Sequence, residues 1–184
     1  MPKEFRQLSR RPFFFPLVMP ILLVVALAAA AIWLLDARAT TVVVVIPHAE
    51  IDAKDAADGD LSLAGKERAA KLVRMLAAAK PDRGVDAIFA SESKSTQQTV
   101  LPLSETLALP INAIPGSAWS NLPSKIKHEH HGEYVVVAGE PKSMPRLIEG
   151  LSGQTVPLEG DELDAMFIVF VPQLAKARVL KLHY

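Results

Sequence analysis

The 184-residue chain contains no cysteine, which excludes disulfides, thiolate nucleophiles and cysteine metal centres. It has no charge excess either: 20 Lys and Arg balance 20 Asp and Glu, so the basic footprint of a nucleic-acid partner is missing. No internal repeat and no low-complexity segment interrupts it, which sets aside repeat architectures. One absence is local. From Phe13 to Leu35 there is no Asp, Glu, Lys, Arg or His, and only Pro16 and Pro20 interrupt the apolar run.

A helix over 13–35 would span roughly 34 Å, enough for a hydrocarbon core of about 30 Å with some tilt. Lys3, Arg6, Arg10 and Arg11 outweigh Glu4 before it by three charges. That asymmetry predicts a basic cytoplasmic tail at 1–12, a transmembrane anchor at 13–35, a linker at 36–40 and a domain at 41–184 outside the cytoplasm. Trp33 suits an interfacial anchor. The expected location is the inner, cytoplasmic membrane, with the domain periplasmic or otherwise extracytoplasmic. Ala37-Arg38-Ala39 also offers a small-x-small site, the mark of a cleaved signal peptide, whereas the run is longer than a signal's apolar core and favours retention. At about 145 residues, the remainder is one domain able to build its own core.

Within that domain, Thr41 to Ile46 (TVVVVI) is a β-branched run of the kind that forms a central strand buried on both faces. Ser62 is an N-cap for a helix reaching about Ala79, with Ala69, Leu72, Val73 and Leu76 on one face, and Pro81 to Gly84 ends it. Val85 to Ala90 reads as a strand and Ser95 to Leu107 as a helix with Pro102 inside it, expected to kink it. Ile111 to Ile114 forms a short strand, 117–128 allows helix, and Tyr134 to Ala138 is a further buried strand. Ser143 to Leu151 forms a helix with Pro145 in its first turn, and Phe167 to Val171 and Arg178 to His183 pair as strands. Alternating strands and helices predict an α/β fold: a mostly parallel sheet with helices on both faces.

Ligands of such sheets bind beyond the carboxyl ends of the strands, which directs attention to Pro47-His48-Ala49-Glu50, Ser91 to Thr96, and Gly139 to Lys142. Val-Ile-Pro-His-Ala-Glu at 45–50, Asp60 to Ala69 with its Leu-Ser-Leu-Ala-Gly start, Ile88 to Pro102, Val135 to Leu147, and Phe167 to Tyr184 stand in an order and spacing that resemble the histidine phosphatase superfamily. This is the phosphoglycerate mutase-like fold, and the likeness is greatest to its short bacterial members. The resemblance covers nearly all of 41–184. It implies a nucleophilic histidine, a second histidine, two arginines around the phosphoryl oxygens and an acid for the leaving group. His48 matches the nucleophile. Pro47 stands where the first arginine belongs, Ser95 where the second belongs, and Glu140 where the second histidine belongs.

Phosphoryl transfer depends on cationic donors placed around the equatorial oxygens. Here two guanidiniums are missing and a carboxylate is added. A like-charge contact at about 4 Å costs roughly 4 kcal/mol at an effective dielectric of about 20. Lys54, Lys94 or Lys142 could replace one arginine, though without its bidentate fork. The expectation is therefore a membrane-anchored pseudoenzyme that binds or scaffolds at the cell envelope, its partner an envelope protein or a phosphorylated small molecule. The alternative is a weak or altered phosphomonoesterase using His48 as phosphoryl acceptor. His48 can equally be an inherited, idle pocket residue.

The sequence offers two further arrangements. Ser95, His48 and Glu140 make a nucleophile, base and acid on paper, but there is no Gly-x-Ser-x-Gly elbow and Ser95 opens a helix. His128, Glu129, His130 and His131 have metal-binding side chains, yet adjacent ligands rarely converge on one ion, and the cluster should lie at the sheet end opposite His48. No cofactor and no metal is expected. Glu50, Asp52, Asp55, Asp58 and Asp60 read as a solvated acidic loop, with Glu50 a candidate acid beside His48.

Overall fold

The structure, a computed structural model, describes residues 15–38, 40–52, 58–77, 84–157 and 162–184. Its contacts divide the chain into two units, Met1–Ala37 and Arg38–Tyr184. In the first, Phe15–Arg38 is a single α-helix, α1. Its side chains are described from Val18 to Leu34, and large apolar ones such as Leu22, Leu27 and Ile32 are exposed. Among the described residues no helix is long and apolar enough to cross a membrane; the expected span at 13–35 extends beyond those side chains at both ends. The tail at 1–12 lies outside the described residues.

The second unit is a six-stranded sheet in the order β3-β2-β4-β1-β5-β6. The strands are β1 (Thr41–Pro47), β2 (Ala87–Ser91), β3 (Ile111–Ile114), β4 (Tyr134–Gly139), β5 (Ala165–Val171) and β6 (Arg178–His183). β3, β2, β4 and β1 run parallel. β5 is antiparallel to β1 and β6 antiparallel to β5, so the sheet is mixed. The antiparallel edge follows from the short connection at 172–177, since a crossover to a parallel neighbour needs a dozen residues or more.

Alternation along β1 and β4 supplies both cores. Val43, Val45, Val135 and Val137 pack with Leu122, Ile126, Leu147 and Leu151 on one face. Val44, Ile46, Val136 and Ala138 pack with Leu72, Leu76, Val100 and Leu103 on the other. Each such Val, Leu or Ile side chain, when fully buried, contributes about 1.5 to 3 kcal/mol before chain entropy is subtracted. The first face is covered by a 3-10 helix, η1 (Gly116–Asn121), and by α4 (Leu122–Glu129) and α5 (Met144–Ser152). The second is covered by α2 (Leu63–Leu76) and α3 (Lys94–Leu107).

The expected N-cap at Ser62 is present: its hydroxyl accepts from the Gly65 N–H at 3.1 Å. Pro102 lies inside α3. The stop at Pro81 to Arg83 lies outside the described residues. At the sheet end where β1 begins, Thr41 Oγ1 donates to the His130 carbonyl at 2.9 Å, so the 128–131 segment and His48 occupy opposite ends.

Candidate functional site

β1 and β4 finish in register, Pro47 opposite Gly139, and the His48 N–H donates to the Gly139 carbonyl at 3.1 Å. This brings the backbone of Glu140, the next residue, alongside that of His48. Half-buried His48 points Nδ1 at the Ala49 carbonyl, 2.9 Å away. A carbonyl can only accept, so the neutral ring carries its proton on Nδ1 and its lone pair on Nε2.

Ser95 lies in the first turn of α3 and is 1% exposed. It reaches the His48 loop through its neighbour. Thr99 Oγ1 donates to the Ser95 carbonyl at 2.7 Å and accepts from the Ala49 N–H at 2.9 Å. No hydrogen bond joins His48 to Ser95 or to Glu140 among the described residues. With Nδ1 directed at a backbone carbonyl and Ser95 buried, these three do not make a hydrogen-bonded relay.

The acidic loop is not simply solvated. Asp52 N–H donates to the Asp60 carbonyl and Ser62 N–H to the Glu50 carbonyl, both at 2.9 Å, and Ile51 bridges Leu61. Asp58 Oδ1 accepts from the Lys94 N–H at 2.6 Å and the Ser95 N–H at 3.4 Å. Asp58 thereby caps α3, whose own N-cap Ser93 makes no side-chain capping bond. A helix N-terminus is where an anion would bind; here a carboxylate already occupies it. Asp60 accepts from Gln98 Nε2 at 2.5 Å and pairs with Lys94 at 3.0 Å. These hydrogen bonds, from Gln98 first and then Lys94, hold its carboxyl below the usual carboxylate range. Asp55 and Lys54 lie outside the described residues.

Glu50 is drawn away from a free acid's role because Arg68, from α2, forms an ion pair with it. Only half of each group is satisfied: Glu50 Oε2 and Arg68 Nη1 are buried without a partner. The guanidinium carbon lies 5.6 Å from the centre of the Tyr184 ring. Burial, chiefly, pushes the Tyr184 phenol up to about 12. Gly65 makes this packing possible, since a Cβ there would stand 2.2 Å from the Glu50 carbonyl oxygen.

Beside this edge, on the η1, α4 and α5 side, a cleft of about 590 Å³ opens, lined by Ser91, Trp119, Ser124, Glu140, Lys142 and Arg146 among others. Of the three lysines considered as replacement cations, Lys94 is tied to Asp60 and Lys142 faces this cleft. His130 pairs with Glu133 at 2.6 Å and stacks edge-on against Phe89. Among the described residues no group of three His, Asp or Glu is placed to hold a metal ion.

No family's sequence model matches the chain, and no curated protein matches it in sequence. Solved structures do match. The protein histidine phosphatase SixA, complexed with tungstate, aligns over 77% of this chain and 96% of its own at 17% identity and a TM-score of 0.60. The domain has the histidine phosphatase fold. A mycobacterial glucosyl-3-phosphoglycerate phosphatase aligns over 76% and 97% at 12% identity and a TM-score of 0.58. A putative alpha-ribazole-5'-P phosphatase from Escherichia coli aligns over 78% and 96% at 17% identity and 0.56. The strand ends just described carry Pro47 and Glu140 in this chain, with Ser95 in the first turn of α3.

Asp58, Arg68, Thr99, Trp119 and Arg146 were not among the candidates that spacing suggested. Asp58 meets α3 across 36 residues and Thr99 meets Ala49 across 50, distances at which local pattern carries no signal. Arg68 follows Gly65 by one helical turn, a cue that only the close approach of the Glu50 backbone makes readable.

Proposed function

We propose that this chain is a membrane-tethered binding module built on the histidine phosphatase fold, with phosphoryl transfer largely given up. The observation that carries this reading is the charge of the strand-end site. Where a transferring phosphoryl group needs cations, the site has Pro47, buried Ser95 and the carboxylate of Glu140, and Asp58 occupies the N–H groups that open α3. Neither Pro nor Ser supplies a replacement charge.

The tether is supported by the 24-residue helix Phe15–Arg38 and its exposed apolar side chains. The basic residues that precede it favour an extracytoplasmic domain. A tethered domain meets its ligand or an envelope partner at the membrane surface, a setting in which binding alone has use.

A second reading has one observation in its favour. The Nδ1 contact to Ala49 leaves Nε2 of His48 with its lone pair, the state a phosphoryl acceptor requires, and a weak phosphomonoesterase would use it. Purified full-length chain in non-ionic detergent, assayed against a panel of phosphomonoesters beside His48→Ala, separates the two. The binding module shows no turnover that depends on His48. Turnover that disappears in His48→Ala would establish the phosphatase instead.

A further inference from the structure

We propose that the end of the domain where β1 begins docks on the anionic headgroups of a lipid bilayer, through the 172–177 loop and the cations at its root. The inference rests on the membrane-tether reading and adds to it the docking face and the lipid charge. By chain connectivity, only residues 39 and 40 stand between Arg38, the last residue of α1, and Thr41, the first of β1. Three Cα steps of about 3.8 Å keep those two residues within about 11 Å of each other. A bilayer that holds the helix is therefore within reach of this end of the sheet, the one opposite His48.

Several segments converge there. Val171, the last residue of β5, stands opposite Thr41, so the 172–177 loop leaves the sheet at the same end. Gln154 Nε2 fastens the root of the loop by donating to the Ala177 carbonyl at 2.9 Å. At the tip, Leu174 is 74% exposed. A lone exposed leucine is ordinary on a protein surface; what sets this one apart is its neighbours. One recess beside the loop is lined by Lys127, His128, His131 and Lys176. A second recess, which shares Lys176, is lined by Thr40, Phe170 and Arg178.

Among the described residues no Asp or Glu lines either recess; Glu129 and Glu149, exposed on α4 and α5, line neither. Lys127 has local work, since it lies in the last turn of α4, where a cation offsets the helix dipole, and donates to the Gly150 carbonyl at 2.7 Å. Lys176 and Arg178 have none. They stand at no helix end and form no ion pair among the described residues. An apolar tip with cations at its root suits a membrane interface: the aliphatic side chain enters the headgroup boundary while lysine and arginine meet the lipid phosphates. The lipid must be negative, because each basic residue near an anionic surface strengthens attachment about fivefold.

The chain has no cysteine, so Leu174→Cys places a single fluorescent label on the full-length protein. Leu63→Cys is the control: Leu63 is 78% exposed and follows Ser62, whose N–H donates to the Glu50 carbonyl at the His48 end. Each labelled protein is compared in phosphatidylcholine nanodiscs and in nanodiscs that also contain phosphatidylglycerol, with acrylamide as an uncharged quencher. Phosphatidylglycerol should shield the label at 174 and leave the label at 63 unchanged. Adding Lys176→Gln/Arg178→Gln removes two contributions of about fivefold each, about 25-fold together, and should return quenching at 174 to its phosphatidylcholine value. Raised salt should do the same without any substitution, which keeps the test readable if the double variant misfolds. Equal quenching at 174 in the two lipids, equal shielding at 63, or shielding that survives both the double variant and raised salt overturns the proposal. So does shielding already present in detergent and rising with protein concentration, which would assign the face to a second copy of this chain. Flotation with vesicles of phosphatidylcholine alone reports separately on the tether; where it fails, the labels are read against added phosphatidylglycerol vesicles, and shielding at 174 still decides the docking face.

Discussion

Replacing Gly65 by alanine tests the contact on which the His48 loop rests. Helix propensity alone predicts a gain, because alanine inside a helix is favoured over glycine by about 1 kcal/mol. The tertiary structure predicts the opposite sign. The new Cβ would lie 2.2 Å from the Glu50 carbonyl oxygen, 3.1 Å from its nitrogen and 3.2 Å from its carbonyl carbon. Ordinary carbon contacts fall near 3.5 Å, so the shortest of these is deficient by roughly 1 Å. All three atoms are backbone, and the Glu50 carbonyl is also held by the Ser62 N–H at 2.9 Å. Neither partner can give way without moving α2 or the loop.

Overpacking of this kind costs about 1 to 3 kcal/mol. A rigid backbone clash belongs near the upper end, and subtracting the propensity gain leaves a net loss of roughly 2 kcal/mol. Urea unfolding of the full-length chain in detergent, followed by far-ultraviolet circular dichroism, should show a midpoint lowered by about 1 M for a slope near 2 kcal/mol per molar. Gly116→Ala is the control, since a Cβ there meets nothing within 4 Å; it should be neutral or stabilising by about 0.4 to 1 kcal/mol. A midpoint that rises in Gly65→Ala, as it should in the control, would refute the close approach of Glu50 and α2.

Two other outcomes follow from the same structure. The Tyr184 phenol is raised from its ordinary value near 10 to about 12, so its stabilising effect is complete below pH 10 and is lost as pH climbs through 12. Unfolding free energy should fall by roughly 2 to 3 kcal/mol across that window, and Tyr184→Phe should remove this part of the alkaline slope; an unchanged slope would show that Tyr184 is not the group responsible. If the apolar helix is an anchor, the chain produced in bacteria should stay with the membrane pellet after an alkaline carbonate wash. Recovery in the supernatant would remove the tether from the proposed function.

The sequence by itself determined the elements, because their signals are local. The β-branched run at Thr41, the Ser62 cap with its apolar face at Ala69, Leu72 and Leu76, and the Tyr134 strand each announce themselves within a few residues. It also determined the fold class, since strands alternating with helices leave few ways to cover a sheet. What distinguishes this site was decided by tertiary structure. Whether the acidic loop is solvated or capping depends on α3, which reaches it only after the sheet has formed. Glu50 is a free acid on paper and an ion-pair partner once Gly65 lets α2 approach. Lys142 and Arg146 are ordinary surface cations until η1 and α4 close the cleft's other wall. The missing cysteine, the balanced charge and the uncharged run at 13–35 are properties of composition and were complete before any folding; the site's electrostatics are sums over residues that only the fold brings together.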